Sequence, residues 1–325
     1  MKVSVVIPAY NAQQTIGEAV AHSLAQTKGS LQVEVLVVDD GSTDDTAAVA
    51  QNAGATVIRQ ENAGPAAARN RGWKTATGQF ICFTDSDCIP MPDWMENLLD
   101  GFTDQQVGAV AGSYDIVNTG SWLARWVQQE IMERHKRMGS FVRAFGSYNV
   151  AIPRYVLQTT GGFNPVYRRA SGEDNDLSYR IIKEGWRIAF RPQAKVAHYH
   201  PERVWKYLKE QYRHGFWRAK LYKDHPDMVS GDDYTRLRDR LEPILVVGIV
   251  GFSILTAFGI TGFVWPLLMF FIGYTSLHLS WPISWWLGKG KIDAFLYGGV
   301  TFLRGFARAA GLCWGIFQFA SKRSG

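Results

Sequence analysis

Thr84-Asp85-Ser86-Asp87-Cys88 sets two carboxylates one residue apart, directly after the apolar run Phe80-Ile81-Cys82-Phe83. Acids on alternate residues at the end of a buried strand lie where open α/β sheets collect their ligands. Hard divalent cations such as Mg²⁺ take a few oxygen ligands and keep positions open for substrate phosphates. Asp and Ser also build ordinary surface turns with their own backbone, so the pair gains weight only from what else reaches the same edge. A second acidic cluster, Glu173-Asp174-Asn175-Asp176, is crowded enough for like-charge repulsion to raise at least one pKa, as a general base requires. The same acids open a helix expected over Leu177–Glu184, where they suit the helix dipole. His198, in Val196-Ala197-His198-Tyr199-His200, closes another strand and offers an imidazole, which suits Mn²⁺ better than Mg²⁺. An isolated histidine there is also an ordinary structural residue, and His200 has the same standing.

The elements that must position these groups come first in the chain. Val3-Ser4-Val5-Val6-Ile7-Pro8 reads as a buried strand stopped by Pro8 and followed by Ala9-Tyr10-Asn11. Ile16, Ala19, Val20, Ser23 and Leu24 recur at helical spacing, with Thr15 as N-cap and Glu18 as its capping-box partner. Val33–Val38 is a second strand ending in Asp39-Asp40-Gly41-Ser42-Thr43-Asp44. A helix over Asp45–Asn52 and a strand at Thr56–Ile58 follow. Alternating strand and helix is the pattern of a parallel sheet. Tyr10, Asn11, Asp39, Asp40, Asp85 and Asp87 then converge on one edge, as a nucleotide site needs. No Gly-x-Gly-x-x-Gly follows the first strand, and no Gly-x-x-x-x-Gly-Lys-Ser/Thr loop occurs. Later strands are expected at Arg187–Phe190 and ending at His198.

Taken in order, Val5–Asn11, Val37–Asp44, Asn62-Ala63-Gly64-Pro65-Ala66-Ala67-Ala68-Arg69-Asn70-Arg71-Gly72, Thr84–Asp87 and Gly172–Arg180 resemble glycosyltransferase family 2. These are inverting nucleotide-sugar transferases of the GT-A fold, a Rossmann-like α/β fold with a mostly parallel sheet flanked by helices. The resemblance covers about residues 1–225, with a nucleotide-sugar half over about 1–115 and an acceptor half over about 116–225. It implies Asp87 as direct ligand to Mn²⁺ or Mg²⁺, with Asp85 on the ribose or a metal-bound water and His198 as a further ligand. It implies a donor site formed by Pro8, Ala9, Tyr10, Asn11, Asp39, Asp40, Gly64, Arg69, Asp85 and Ser86. Asp40 would accept from the uracil ring N–H, Tyr10 would cover the base, and Arg69 would reach the nucleotide. Asp39 reads equally as a turn-former for Gly41-Ser42. Asp174 is the expected general base and Glu173 the second candidate. Asp176 and Arg213 are candidates on the acceptor side, Asp176 being also a simple cap. Gln211-Tyr212-Arg213-His214-Gly215-Phe216-Trp217 departs in spacing from the Gln-x-x-Arg-Trp motif of processive members, which argues against polymer synthesis.

From Pro243 to Gly288 there is no Asp, Glu, Lys or Arg. A spanning helix needs about 20 apolar residues, so the stretch is expected to form a hairpin over 243–288, turning at Thr261-Gly262. Residues 226–242 read as a basic juxtamembrane linker. Arg236, Arg238 and Arg240 before the run, and Lys289 and Lys291 after it, place both flanks and the catalytic domain on the cytoplasmic side. The N-terminus enters a strand at once, so no signal peptide is expected. Residues 289–325 read as a third span or an interfacial amphipathic helix. Arg304 and Arg308 share one face of it: they either snorkel toward headgroups or meet an acceptor phosphate. A helix with Val204, Leu208, Tyr212 and Phe216 on one side reads as amphipathic and membrane-surface.

The formal charge of +6 then suits an anionic membrane surface, and no nucleic-acid module is present. Three cysteines without metal-like spacing fit a reducing compartment. The expected partners are a nucleotide-sugar donor, a lipid-linked or membrane-proximal glycan acceptor and membrane lipids, with no nucleic acid. A membrane-docked binding protein without chemistry, and a sugar nucleotidyltransferase, are the alternatives. The second would want a Gly-rich basic triphosphate loop where Pro8-Ala9-Tyr10-Asn11 stands.

Overall fold

A computed structural model of the chain describes residues 1–169, 171–229, 233, 235 and 237–321, with the backbone alone at 289 and 321. Arg236, one of the expected flanking cations, lies outside the described residues, as does the side chain of Lys289. The described chain divides into two compact units, 1–120 with 127–200, and 121–126 with 201 onward.

The first unit is built around one sheet. Its elements run β1 (Lys2–Ala9), α1 (Ile16–Leu24), β2 (Gln32–Asp39), α2 (Thr46–Asn52), β3 (Thr56–Arg59), α3 (Pro65–Thr75), β4 (Phe80–Thr84), β5 (Cys88–Pro90), α4 (Trp94–Leu99) and β6 (Val107–Ile116). There follow α5 (Trp122–His135), β7 (Phe141–Val142), β8 (Asn149–Pro153), α6 (Arg154–Thr160), α7 (Glu173–Lys183) and β9 (Arg187–His198). The strand order is β3-β2-β1-β4-β8-β6-β9-β5, with β7 also on β9. β3, β2, β1 and β4 are mutually parallel, and β8 joins antiparallel to both β4 and β6. The strands β1 to β4 thus form a parallel part, and the mixed pairing begins with β8.

Val3, Val5 and Ile7 face one buried cluster with Ile16 and Val20 of α1, while Val6 faces the other with Trp73 of α3. Burial on both faces is why β1 reads as a continuous apolar run. At Gly72 an added Cβ would lie 2.3 Å from Val6 Cγ1, so α3 sits on β1 with no room for a side chain. β9 is one strand rather than the two expected; its register against β6 slips between Ala111 and Ser113. The capping box at α1 does not form: Thr15 Oγ1 donates to Ala12 O, and Glu18 accepts from the Tyr199 hydroxyl.

The second unit holds α8 (Val204–Asp224), α9 (Leu237–Ala257), α10 (Val264–Lys289) and α11 (Ala294–Ser321). Two segments, Leu237–Ala257 and Thr261–Gly288, are long and apolar enough to cross a membrane, and only 17% and 11% of their apolar windows are buried. A single 3₁₀ turn, Thr261–Phe263, separates them. The helix carrying Pro243 begins earlier than expected, at Leu237, so charged Arg238, Asp239 and Glu242 form its first turns. α8 lies against α11 through glycines. An added Cβ at Gly311 would meet Tyr212 O at 2.0 Å, one at Gly315 would meet Phe216 O at 2.4 Å, and one at Gly215 would meet Arg308 O at 2.1 Å. Gly311 and Gly315 are the small-xxx-small spacing that lets helix backbones touch.

Candidate active site

β4 ends at Thr84, and Asp85-Ser86-Asp87 turns the chain into β5, with Cys88 N–H donating to Asp85 O at 3.1 Å. Because β5 runs antiparallel to β9 with Cys88 opposite His198, the turn delivers Asp87 to the histidine. Asp87 Oδ2 lies 3.4 Å from His198 Nε2. One ligand atom from each of Asp87, Cys88 and His198 lies within 4.8 Å of the others. Cys88 is buried, and burial with Asp87 and Asp85 beside it pushes its thiol well above the usual range. The neutral thiol is a poor ligand. A carboxylate and an imidazole remain, a donor set that fits Mn²⁺. The Asp87 side chain is 43% exposed, so a ligand can reach it.

Asp85 is engaged differently. Arg69, on α3 and 1% exposed, donates from Nη2 to Asp85 Oδ1 at 2.7 Å and from Nη1 to Glu173 Oε1 at 3.0 Å. The guanidinium expected to reach the nucleotide is thus a bridge between β4 and α7. Glu173 opens α7, and its other oxygen accepts the Ser171 N–H at 2.7 Å. Asp174 is partly exposed and accepts the Asn175 N–H at 2.8 Å. Burial raises both carboxyls, Asp174 adds to the rise at Glu173, and Arg69 pulls against it. Of the two, Asp174 is the more exposed residue, and a raised pKa would strengthen a carboxylate acting as a base.

At the base end the structure reassigns several expected donor contacts. Asp40 is 4% exposed, and its carboxylate accepts from Gln60 Nε2 (2.7 Å), Ala63 N–H (2.9 Å) and Gly64 N–H (2.9 Å). Both oxygens tie down the chain's own 60–64 loop. Asp39 Oδ1 accepts the Ser42 N–H at 3.0 Å, the turn-forming alternative, while Oδ2 is 3.7 Å from Arg59. Pro8 and Ala9 are buried in β1, and Ala9 O accepts the Asp40 N–H. Asn11, in the left-handed region at φ 50, binds Thr43 N–H with its side chain at 2.9 Å and so stitches the two loops. Gly64 has φ 92, and an added Cβ would lie 2.5 Å from Arg168 O. The close approach it permits is to this chain rather than to a ligand. Tyr10 stands 51% exposed beyond β1, and Ser86 is partly exposed in the turn.

On the acceptor side, Asp176 is buried and paired with Arg180 at 2.6 Å; Arg180 in turn binds Thr160 O and Gly162 O. The Asp176 carboxylate is thereby engaged within the fold. Arg213, Arg304 and Arg308 belong to the second unit. Arg304 is 2% exposed and donates to the Tyr207 hydroxyl at 3.0 Å; Arg308 donates to Gln211 Oε1 at 2.8 Å and lies 3.5 Å from Asp239. Neither expectation for the pair, headgroup snorkelling or an open phosphate clamp, describes side chains engaged inside a helix cluster. That cluster also holds Glu242 and His278, 3.3 Å apart and each 2% exposed. Sequence reasoning missed the buried amide of Asn149 too. It accepts from Trp94 Nε1 and donates to Ser113 O and Ala194 O, joining β8, β6 and β9.

Comparison with known proteins agrees with this frame. Over 245 residues the chain is 32% identical to a pre-mycofactocin glycosyltransferase of Mycobacterium tuberculosis, covering 70% of this chain and 49% of that one. The chain thus spans about half the length of that relative. Over 159 residues it is 30% identical to an Escherichia coli enzyme, the UDP-Glc:alpha-D-GlcNAc-diphosphoundecaprenol beta-1,3-glucosyltransferase WfgD, covering 48% of this chain and 61% of that one. Among solved structures, the mannosyltransferase PcManGT of Pyrobaculum calidifontis, in complex with GDP-Man and Mn²⁺, superposes with a TM-score of 0.62 at 21% identity. That superposition covers 96% of this chain and 87% of the other, and the shared fold is GT-A. The family model for glycosyl transferase family 2 matches residues 4–172, just over half of the chain. The chain belongs to glycosyl transferase family 2.

Proposed function

We propose that this chain is a membrane-anchored inverting glycosyltransferase. It moves a sugar from a nucleotide diphosphate sugar, UDP-linked by preference, to a lipid-linked or membrane-proximal glycan acceptor. The observation that carries the proposal is the pairing, on one catalytic unit, of an exposed Asp87 facing His198 with a partly exposed, pKa-raised Asp174. Asp87 and His198 would hold Mn²⁺ or Mg²⁺, which when bound neutralises the charge of the departing diphosphate. Asp174 takes the proton of the acceptor hydroxyl as that oxygen attacks the anomeric carbon from the side opposite the diphosphate. The Arg69 bridge holds α7, and with it Asp174, against the strand that carries Asp85. Tyr10 covers the base, and Ser86 lines the donor site. UDP is favoured because the Escherichia coli relative is named for UDP-Glc, and a lipid-linked acceptor because the same name specifies one.

The domain division proposed is a catalytic region over 1–225, a linker over 226–242, a hairpin over 243–288 and a further helix over 289–325. The exposed apolar faces of the two long helices support anchoring. Arg238, Arg240 and Lys291 around them support a cytoplasmic catalytic unit. The experiment is a donor screen reading UDP or GDP release with Mn²⁺ and membrane lipid extract as acceptor. Acceptor-dependent release by the wild type, lost in Asp174→Asn, supports the proposal. Release of neither nucleotide from any donor overturns it.

A further inference from the structure

Behind His198 lies a chain of hydrogen bonds whose directions the structure fixes. Gln128, on α5 and 4% exposed, donates from Nε2 to Tyr114 O at 3.1 Å. A carbonyl only accepts, so this bond settles the amide orientation, and Gln128 Oε1 is left to accept. Oε1 lies 2.8 Å from His200 Nε2, which must therefore be an N–H donor. His200 Nδ1 is 3.1 Å from His198 Nδ1, and one of these two nitrogens must donate to the other. His200 is 5% exposed; a proton on both of its nitrogens would bury a cation between an amide and another ring. His200 Nδ1 is then the acceptor and His198 Nδ1 the donor. The other ring nitrogen of His198, Nε2, is the atom 3.4 Å from Asp87. The ring of His200 is held by its own backbone: Asn118 Nδ2 donates to His200 O at 2.8 Å, and His200 N–H donates to Asn118 Oδ1 at 3.0 Å. Tyr114 lies against both rings and stacks on Tyr148 at 3.6 Å.

We infer that Gln128 and His200 are positioning residues that lock His198 in the Nδ1–H tautomer, so that its Nε2 lone pair faces Asp87 as a standing ligand for a divalent cation. Partners of this kind behind a ligating histidine change metal affinity by about 10–100-fold when removed. The inference rests on the metal reading of Asp87 and His198 proposed above.

The first test needs no variant. The full chain, labelled with ¹⁵N-histidine and kept metal-free in detergent, is read by long-range ¹H–¹⁵N correlation, with assignment from His198→Gln and His200→Asn. The expected result is Nδ1–H at His198 and Nε2–H at His200. Nε2–H at His198 would overturn the relay. The second test titrates Mn²⁺ alone and follows the free ion by electron paramagnetic resonance. Gln128→Leu and His200→Leu should each weaken Mn²⁺ binding about 10-fold. His200→Asn should restore it, because the asparagine Oδ1 stands where Nδ1 stood and still accepts from His198. Wild-type affinity in both leucine variants would overturn the relay. Absence of Mn²⁺ binding in the wild type would instead overturn the metal assignment beneath it.

Discussion

Replacing Arg69 by Met keeps the aliphatic stem against Phe163, whose ring lies 5.4 Å from the guanidinium carbon, and deletes only the charge. Two carboxylates lose their partner, and they do not suffer equally. The Asp85 side chain is 32% exposed and can rehydrate, whereas that of Glu173 is 2% exposed. Removing one member of a buried pair costs about 3–5 kcal/mol when the other stays charged, so Glu173 sets the loss. For a unit of about 200 residues each kcal/mol moves Tm by about 2–4 °C, which gives a drop of about 6–20 °C. Protonation of Glu173 limits the penalty, and the sign follows from linkage. Without Arg69 the folded-state pKa of Glu173 rises further above its unfolded value. Between those two values the folded state holds more protons, so stability falls as pH rises. The deficit of Arg69→Met should therefore be larger at pH 8 than at pH 6. Adding Glu173→Gln removes the charge that was stranded, and the double variant should recover more than 1 kcal/mol, as directly coupled residues do. The assay is thermal unfolding in detergent of the wild type, both single variants and the double variant. A loss under about 1 kcal/mol for Arg69→Met, or strict additivity in the double variant, refutes the bridge.

Asp174→Asn should lower kcat by about 10² or more with donor affinity nearly unchanged, measured by nucleotide release; an active Asp174→Asn beside a dead Glu173→Gln would reverse the assignment. Because burial raises the Asp174 carboxyl above its ordinary range, wild-type kcat/KM should climb with pH along a limb lying above that of an unperturbed aspartate and flatten beyond it. Glu173→Gln removes the neighbouring charge and should move that limb to lower pH. Asp87→Ala should weaken nucleotide binding in Mn²⁺ and leave it unchanged in EDTA, read by calorimetry; equal Mn²⁺-supported binding would remove Asp87 from the metal. Gly311→Val should lower the melting temperature, since its Cβ would sit 2.0 Å from Tyr212 O. Gly299→Ala in the same helix meets nothing within 4 Å and should not; equal effects would refute the close crossing.

The strands β1, β2 and β4 were legible because each is an apolar run closed by a polar cluster, and the edge carrying Asp85 and Asp87 followed from them. β9 was divided in two by Arg191-Pro192-Gln193, polar residues that the register slip against β6 accommodates within one strand. What one-dimensional reading could not supply was where each charge goes. Arg69 finds Asp85 sixteen residues away and Glu173 one hundred and four away. Asp40 finds its donors twenty to twenty-four residues on, in a loop with no periodicity to announce it. The small-xxx-small spacing at Gly311 and Gly315 was in plain view, and would have placed α11 against another helix rather than in a lipid interface. His200 carried no signal of its own, since its role depends on Gln128, seventy-two residues earlier.

The edge of this sheet gathers Asp39, Asp40, Asp85, Asp87, Glu173, Asp174 and Asp176, and a nucleotide diphosphate is itself an anion. Seven open carboxylates would repel the donor they are meant to hold. The fold resolves the conflict by burial and pairing. Asp40 is hydrogen-bonded by an amide and two backbone N–H groups, Asp176 is paired with Arg180, and Asp85 and Glu173 share the single charge of Arg69. Asp39 has one oxygen in a turn and the other near Arg59. Asp174 and Asp87 stand apart from these: both are partly exposed, and Asp87 faces His198 at 3.4 Å; in the proposed mechanism the first takes a proton from the acceptor and the second holds the metal ion. Under that proposal each meets a positive partner arriving from outside, a proton in one case and a metal ion in the other. On the proposed reading such a site takes the diphosphate together with a cation, which ties donor binding to Asp87 and leaves Asp174 to act on the acceptor.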